Sequence, residues 1–377
     1  MASSAAILAF AQRGPLFRRL GADAPPAAEW LRHGNALAAQ LVPGVDVLAH
    51  DPTTAARIFH LYLPIYFWCK SFVDVKQQQQ RQRQHAIPSS TESKAIGIGL
   101  SAVQGCGKTT LVEFLTDRFA ADGLVCAAVS FDDFYLTGAD QDAVAAAHPD
   151  NPLLQVRGNA GTHDLTLGTE ILTRMLRREV GVNVPRYDKS ARGGRGDRAP
   201  VAEWTRLERA PDVVLLEGWM AGFTPVAASE LGVRIGSKMT DGETASAAAP
   251  ESAASNEFSV ISASSHPAFE KGIDDVNRML SKYSAWHDCM SAWVVVSIDE
   301  HAHVYRWCLE AERAMAARGK PGMSDEQIHD FVSRYMPAYR TYLPGLYAAA
   351  EDGGPGVCGC PTLRVEVDGE RQVVADQ

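Results

Sequence analysis

The sequence lacks an excess of positive charge, a long apolar run and a regular set of cysteines, and each absence excludes a class of protein. Its 36 Lys and Arg residues stand against 45 Asp and Glu residues, a net charge of −9. We therefore expect no nucleic-acid partner, since neutralising phosphates needs a basic face. No run of about 18 uninterrupted apolar residues occurs, so no membrane span is predicted. The seven cysteines are scattered without metal spacing, which argues against a disulfide framework and for a reducing compartment.

The most informative segment that is present is a glycine-rich loop between an apolar run and an amphipathic stretch. The apolar run covers 96–101, the loop reads AVQGCGKTT over 102–110, and the amphipathic stretch covers 111–119. This order predicts strand, turn and helix, the setting in which backbone N–H groups and a helix N-terminus bind nucleotide phosphates. The pattern G-x-x-x-x-G-K-[ST] is complete except that Ala102 replaces its first glycine. The loop therefore predicts binding of ATP or GTP.

Each residue type in this loop has a role in phosphate binding. Gly107 lets the backbone approach the phosphates, Lys108 can reach the β and γ oxygens, and the Thr109 hydroxyl can bind Mg²⁺. Lys108 is also a candidate catalytic residue, because it can neutralise negative charge on a phosphoryl group during its transfer from the nucleotide. The residues expected to hold the nucleotide are Gln104, Gly105, Cys106, Gly107, Lys108, Thr109 and Thr110.

Two places raise the question of redox control. Cys106 lies in the loop at the expected helix N-terminus, where the pKa of a thiol tends to fall. Cys358 and Cys360 form a close pair near the C-terminus. Inert thiols and reversible oxidation that blocks the nucleotide site are both open.

Further apolar runs predict a mostly parallel sheet. Runs at 96–103, 124–130, 212–217 and 292–298 are rich in Val, Ile, Leu and Ala and are separated by helical patterns. Such runs are typical of parallel strands covered by helices on both faces. Residues 363–367 alternate between apolar and polar, which suits an edge strand. The sequence thus predicts a three-layer α/β fold of the P-loop NTPase type.

The N-terminal part has a different character. The first 22 residues contain no acid and carry three arginines, which resembles an organelle transit segment at 1–25, with a frayed N-terminus as the alternative. Apolar residues at near-helical spacing then predict an N-terminal helical region with a linker over 26–88. Within it, the glutamine-rich stretch 77–84 is interpreted as a surface connection.

The core domain that contains the phosphate loop is expected over 94–377, with one interruption. The stretch 237–257 consists mainly of Ala, Ser, Thr, Glu and Gly, with Met239 as its only large apolar side chain. Such a stretch cannot bury enough surface to offset its ordering entropy. We predict a disordered insertion at about 237–262.

Carboxylates that follow the predicted strands are the candidates for catalysis and metal binding. Asp132 and Asp133 come directly after the second strand, where ligands bind in parallel sheets. Asp132 is the candidate base that accepts a proton from the hydroxyl group of a phosphoryl acceptor. Asp133 acts either through a Mg²⁺-bound water or as a structural residue. The alternative is that both serve as a helix N-cap pair. Glu217 ends the third strand and can hold Mg²⁺ or its waters, whereas Asp212 at the strand's start points elsewhere.

Two polar segments supply cations. The first reads RGNAGTHD at 157–164, and the second reads PRYDKSARGGRGDR at 185–198 with five cations. Because Arg matches carboxylate and phosphate groups bidentately, the second segment predicts an anion site, with a solvated basic loop as the alternative. A basic loop with Gly and Pro at 316–324 follows the helical pattern at 306–313. It is either a lid that closes over ATP or a plain surface turn.

These motifs, taken together, resemble the D-glycerate 3-kinases of plants and fungi. The resemblance runs from about residue 62 to 347 and is specific as a set, since only the phosphate loop is generic. It is carried by SAVQGCGKTT at 101–110, SFDDFY at 130–135, RGNAGTHD at 157–164, PRYDKS at 185–190, LEGW at 216–219, GKPGMSDE at 319–326, FVSRY at 331–335 and PAY at 337–339. The wider group includes uridine, pantothenate and phosphoribulose kinases.

The resemblance implies an enzyme that uses ATP and Mg²⁺ to phosphorylate D-glycerate to 3-phosphoglycerate. In photosynthetic organisms this is the last step of photorespiration, so a chloroplast location follows, with the cytoplasm as the alternative. We expect a monomer whose partners are this small substrate and ATP. A kinase of pantothenate or a nucleoside, or a nucleotide-binding regulator without transfer chemistry, stays open. The arginine-rich segment favours an acidic acceptor over uridine, although pantothenate is also an acid.

The resemblance also bears on individual residues. It makes Asp132 the catalytic aspartate, as the first Asp of a Ser-x-Asp motif, and Ala102 is usual in the family. Val103 departs from the common proline, which should alter loop stiffness more than chemistry. Arg192, Arg195 and Arg198 are the candidates for gripping the substrate carboxylate. The full set expected to bind substrate is Asp133, Tyr135, Arg157, Arg186, Lys189, Arg192, Arg195 and Arg198.

Overall fold

The structure is a computed structural model that describes residues 3–86, 93–231, 272–317, 319 and 323–374. The predicted insertion at 237–262 lies outside the described residues. So do residues 318 and 320–322 of the predicted lid, which therefore stays a prediction.

The described N-terminal residues form a series of helices. They are α1 (Ser4–Ala11), α2 (Ala27–Leu41), α3 (Val47–His50), α4 (Pro52–Ala56) and α5 (Leu63–Ala86), with a 3-10 segment at Pro15–Asp23 and a π-helical segment at Arg57–Tyr62. The predicted N-terminal helical extension is confirmed. The stretch 77–84, however, is not the surface connection that its composition predicts but the exposed end of α5. Gln and Arg are good helix formers, and they extend a helix that is already nucleated.

The strands are β1 (Ile96–Ala102), β2 (Cys126–Ser130), β3 (Asn183–Val184), β4 (Tyr187–Asp188), β5 (Asp197–Arg198), β6 (Thr205–Arg206), β7 (Val213–Gly218), β8 (Ala292–Ile298) and β9 (Thr362–Val367). Five of them form a parallel sheet at the centre of the molecule, in the order β2-β7-β1-β8-β9. Every residue of β1 and β8 is buried, as expected for strands covered on both faces. β9 alternates in burial and lies at the edge of the sheet beside β8, its one neighbouring strand among the described residues, which confirms the predicted edge strand.

Helices cover both faces of this sheet, so the predicted α/β P-loop fold is confirmed. They are α6 (Lys108–Ala121), α7 (Gly138–Ala147), α8 (Leu165–Leu176), α9 (Ile273–Leu280), α10 (Ser284–His287), α11 (His303–Ala317), α12 (Asp325–Ser333) and α13 (Met336–Ala349). Among the described residues, no helix has the length and apolar character needed to cross a membrane.

The N-terminal helices pack on the sheet layer through α5 and α6. The Tyr66 ring lies edge-on to Phe114 and Phe119 of α6, at centroid distances of 6.2 and 5.4 Å. Its hydroxyl group donates a hydrogen bond to Asp122, just beyond the end of α6. Because α6 begins at the phosphate loop, this packing supports the loop's helix from behind.

The segment predicted as a transit peptide takes part in the fold. Ile7, Ala11, Leu16 and Leu20 are all buried in the hydrophobic core.

The strand order brings the ends of three strands together. In the register of the sheet, Glu217 of β7 pairs with Ser130 of β2 on one side and with Leu100 of β1 on the other. The loops that follow β1 and β2 therefore leave the sheet on either side of Glu217. This edge of the sheet is where parallel α/β folds bind ligands.

Candidate active site

A cavity of about 550 Å³ opens at this edge of the sheet. It is lined by Gln104, Gly105, Gly107, Lys108, Thr109, Thr110, Ser130, Asp132, Asp133, Tyr135, Arg157, Arg186, Tyr187, Lys189, Glu217, Gly218, Trp219, Phe331 and Tyr335. All the residues predicted from the sequence for this site lie here except Cys106, Arg192, Arg195 and Arg198.

Some lining residues have no role that the sequence alone predicts. They are Ser130, Tyr187, Gly218, Trp219, Phe331 and Tyr335. Each lies inside a motif on which the family resemblance rests, so membership of the motif is the signal that could have found them. Their side chains, mostly aromatic, supply the apolar part of the wall.

The phosphate loop owes its shape to two glycines. Gly105 and Gly107 have φ angles of +78° and +98°, in the left-handed region that side chains rarely adopt. α6 begins directly after Gly107, which aims its first N–H groups at the cavity. The Lys108 ammonium donates to the Val103 carbonyl at 3.0 Å, so it lies folded along the loop. This is a cradle for phosphates built from backbone donors and one cation.

The turn after β2 separates the roles of its two aspartates. Asp133 accepts a hydrogen bond from the Ser130 N–H at 3.0 Å, while the Ser130 hydroxyl accepts from the Asp132 N–H at 3.2 Å. Together these bonds form a capping box on a short 3-10 turn. The Asp133 carboxylate is therefore tied to the backbone, whereas only the backbone of Asp132 takes part. The Asp132 carboxylate instead accepts from the Lys189 ammonium at 2.5 Å.

The two carboxyl groups differ in their pKa. Burial would raise the pKa of Asp132, but the Lys189 ammonium and the hydrogen-bonded Tyr135 hydroxyl outweigh it and hold the pKa below the usual value. Burial raises the pKa of Asp133 to about 6, against the opposing effects of the Ser130 N–H and Arg186. Asp132 is thus the carboxylate that stays ionised and able to accept a proton.

A buried aromatic pair stands behind Asp132. The Tyr135 ring stacks on His163 with centroids 4.6 Å apart, and the His163 Nδ1 atom lies 2.7 Å from the Tyr283 hydroxyl. Burial lowers the pKa of His163 to about 3, so this ring is neutral. It orders the Tyr135 side chain without adding charge to the site.

The basic segment is held against the cavity by Arg157. Its guanidinium donates to the carbonyls of Gly194 and Arg195 at 2.8 and 2.5 Å and lies 5.6 Å from the centre of the Tyr187 ring. Arg186, which is exposed, lies with its guanidinium 4.0 Å from the Asp133 carboxylate. Cations and the Asp132 carboxylate thus share one wall.

The three arginines expected to grip a substrate carboxylate do not line the cavity. Arg192 and Arg195 both pair with Asp142, the latter at 2.9 Å. Arg198 donates to Asp164 at 3.1 Å and to the Tyr135 carbonyl at 2.9 Å. These contacts brace the segment from outside, and the cations on the cavity wall are Lys108, Arg157, Arg186 and Lys189.

Thr109 and Glu217 are the predicted metal ligands, and both line the cavity. Their hydroxyl and carboxylate oxygens are the donors that Mg²⁺ prefers. Asp212, which directly precedes β7, accepts hydrogen bonds from the Val125 N–H and from Arg178 at 2.8 and 2.6 Å. It therefore points away from the site, as predicted.

The cysteines do not have the lowered pKa that reactive thiols need. Burial raises the pKa of Cys106, so the lowering predicted for a helix N-terminus is wrong; Lys108 and the neighbouring N–H oppose the rise without overcoming it. Burial also raises the pKa of Cys358, to about 11, and that of Cys360. All the cysteines are free thiols.

The chain is similar in sequence to a known kinase over nearly its whole length. No family model matches the chain. The chain is 35% identical over 369 residues to the chloroplastic D-glycerate 3-kinase of Arabidopsis thaliana, covering 96% of this chain and 71% of that relative. The chain belongs to the D-glycerate 3-kinase family.

Two further proteins that are similar to this chain are also named as kinases. The probable ATP-dependent kinase TDA10 of Saccharomyces cerevisiae is 30% identical over 289 residues, which is 73% of this chain and 86% of that relative. The solved structure of D-glycerate 3-kinase from Cryptococcus neoformans gives a TM-score of 0.64 at 28% identity, covering 82% of this chain and 97% of that one. The protein is therefore a kinase that binds its nucleotide at a P-loop, and membership of the family implies ATP as the phosphoryl donor.

Proposed function

We propose that this protein transfers the γ-phosphoryl group of ATP to the 3-hydroxyl group of D-glycerate, giving 3-phospho-D-glycerate and ADP. One observation carries the proposal: the ionised Asp132 carboxylate and the cations Arg157, Arg186 and Lys189 share a cavity with the phosphate loop. D-glycerate is a small hydroxy acid. Its hydroxyl group needs a base, and its carboxylate needs a cation.

The chemistry follows from this arrangement. The 3-hydroxyl oxygen forms a bond to the γ-phosphorus as its proton passes to the Asp132 carboxylate. The bond from the γ-phosphorus to the β,γ-bridging oxygen breaks, and ADP leaves with that electron pair. Lys108, at the start of α6, neutralises charge on the transferring group. Lys189, whose ammonium lies 2.5 Å from the Asp132 carboxylate, keeps that carboxylate ionised before the transfer.

We include Mg²⁺ in the proposal. Thr109 and Glu217 would hold it, since both present oxygen donors to the cavity. When bound, Mg²⁺ neutralises the negative charge of the β- and γ-phosphates.

Activity assays with a panel of candidate substrates distinguish D-glycerate from other phosphoryl acceptors. Purified protein with Mg-ATP should phosphorylate D-glycerate well ahead of L-glycerate, pantothenate and uridine, measured by coupled detection of ADP. Equal rates across the panel would refute D-glycerate as the substrate. ATP binding without turnover of any acceptor would instead favour a nucleotide-binding regulator.

We further propose a chloroplast location and a role in photorespiration, with the cytoplasm as the alternative. The N-terminal segment at 1–25, whose first 22 residues contain no acid and carry three arginines, supports the chloroplast. The burial of Ile7, Ala11, Leu16 and Leu20 favours the cytoplasm, because a segment removed after import would not need to join the core. Incubating the full chain with isolated chloroplasts and sequencing the N-terminus of the imported protein tests both. Uptake with cleavage near residue 25 supports the first, and exclusion supports the second.

We propose that the protein acts as a monomer. Light scattering should then give a mass near 40.7 kDa at concentrations used for the activity assay. Twice that mass would refute it.

A further inference from the structure

The chain folds back over the phosphate loop after β9. Beyond this strand, the Asp368 N–H donates to the Gln372 carbonyl at 2.9 Å, and the Arg371 N–H donates to the Asp368 carbonyl at 2.9 Å. The resulting tight turn gives Arg371 a φ of +58°, a conformation uncommon for residues with a side chain. The geometry of this turn fixes the direction in which the Arg371 side chain points.

That side chain reaches the phosphate loop. The Arg371 Nε atom donates to the Gly105 carbonyl at 2.9 Å, across 266 positions of sequence. Its guanidinium also donates to Glu310 at 2.9 Å and lies 4.9 Å from the centre of the Trp307 ring. Two partners from α11 thus orient the group that contacts the loop.

The turn and the loop are both fastened to the same helix. The Trp307 indole N–H donates to the Gly369 carbonyl at 2.8 Å, and Arg306 donates to the same oxygen. On the other side, a Cβ atom on Gly105 would lie 2.5 Å from the Trp307 Cβ atom, so the loop can approach α11 this closely only with glycine there. Trp307 therefore packs against the loop and holds the turn at once.

The bond to Gly105 has a consequence for phosphate binding. In a trans peptide the carbonyl and N–H point in opposite directions, so fixing the Gly105 carbonyl fixes the direction of the Cys106 N–H. Within the described part of the chain, that N–H has no hydrogen-bond partner. Cys106 is not among the residues that line the cavity, but its N–H lies between Gly105 and Gly107, which do, and it is one of the loop donors expected to meet the nucleotide phosphates. We propose that Arg371 is a positioning residue for the nucleotide, which holds the phosphate loop in its binding conformation from outside the cavity.

This inference concerns nucleotide binding and does not depend on D-glycerate as the acceptor. Its primary test is therefore titration of the full-length protein with Mg-ATP in a calorimeter, without any acceptor. We expect Arg371→Ala to raise the Kd for ATP about tenfold, the size of losing one charge-assisted hydrogen bond. Arg371→Lys keeps a donor but loses the fork and the stacking, so we expect a rise of about threefold. In steady-state assays the KM for ATP should rise in parallel, while the KM for the acceptor stays within about twofold.

Arg364 offers a matched control on the neighbouring strand β9. It also lies over an aromatic ring, that of Tyr347 at 5.3 Å, and it donates to the Ser297 hydroxyl and to Glu351 at 3.0 and 3.2 Å. Its hydrogen-bond partners Ser297 and Glu351 do not line the cavity. Arg364→Ala removes a guanidinium with similar stacking and hydrogen bonding, and it should leave the Kd for ATP unchanged.

The outcomes separate positioning from general stability. An unchanged Kd in Arg371→Ala would overturn the proposal, and so would an equal loss of ATP affinity in Arg364→Ala. If Arg371→Ala does not fold, Arg371→Lys decides: wild-type ATP affinity in that variant would also count against the proposal. Failure to phosphorylate D-glycerate alone would refute the proposed function and leave this inference standing.

Discussion

Replacing Asp132 by asparagine tests the assignment of the catalytic base most directly. The change removes the group that accepts the hydroxyl proton and keeps the shape of the side chain. It leaves the capping box intact, because only the backbone N–H of Asp132 takes part in it. The substitution mainly abolishes the charge pair with Lys189, whose atoms lie 2.5 Å apart. The fold should therefore survive, and any effect should lie in the chemical step.

The expected size follows from general-base catalysis. Loss of a positioned base typically costs at least about 10²-fold in kcat, equivalent to about 2.7 kcal/mol in the barrier. The affinity for ATP should change little, because the phosphates contact the loop after β1. The pH profile adds a second readout: since the pKa of Asp132 is held below the usual value, kcat of the wild type should show no loss from this group between about pH 5 and 8.

Asp133→Asn is the matched control in the neighbouring position. Asparagine can still accept the hydrogen bond from the Ser130 N–H, so this variant should fold and keep kcat within about tenfold. Both variants are compared by single-turnover rates with saturating ATP and D-glycerate. If Asp132→Asn retains near-wild-type turnover, or if Asp133→Asn is the more damaged, the assignment of the base is wrong.

Two further predictions concern the substrate and stability. Arg186→Ala should raise the KM for D-glycerate about tenfold in steady-state kinetics. Arg195→Ala should leave this KM within about twofold of the wild-type value, since Arg195 pairs with Asp142 outside the cavity. A larger rise in KM for Arg195→Ala than for Arg186→Ala would show that Arg195 binds the substrate carboxylate. Burial lowers the pKa of His287 to about 4, and its Nε2 atom accepts from the Gly222 N–H at 3.1 Å, so it folds neutral. Because its folded pKa lies below the unfolded value, its contribution is present above about pH 6.5 and is lost as pH falls toward 4, up to about 3 kcal/mol. Urea unfolding across this range should show a shallower pH dependence in His287→Gln, and an unchanged slope would contradict the argument.

The sheet was predictable because burial on both faces leaves a strong signal in the sequence. The runs at 96–103 and 292–298 are almost wholly apolar, apart from glycine and serine, and the strands β1 and β8 occupy them. The glutamine-rich stretch 77–84 has no apolar period, so sequence alone could not separate an exposed helix from a loop. Its helical state depends on α5, which begins in the core and continues outward.

The cations were harder to assign than the phosphate loop. Arg186 and Arg195 lie in one segment and have the same chemistry, so nothing local distinguishes them. Asp142, on α7, makes the difference by pairing with Arg195 outside the cavity. Residue type predicts that an arginine seeks an anion, but only the tertiary structure determines whether that anion is a substrate or an aspartate of the same chain.

The same limit applies to the phosphate loop itself. Its motif indicates which backbone groups face the nucleotide, since Gly107 and Lys108 act within a few residues of one another. The hydrogen bond between Arg371 and Gly105 spans 266 positions and depends on Trp307 of α11 as a third partner. No local pattern marks Arg371, because its φ of +58° and its direction arise from a turn that is fastened to another helix. The residues expected to bind phosphate can therefore be named from the sequence, whereas the residue that we propose holds them in place cannot.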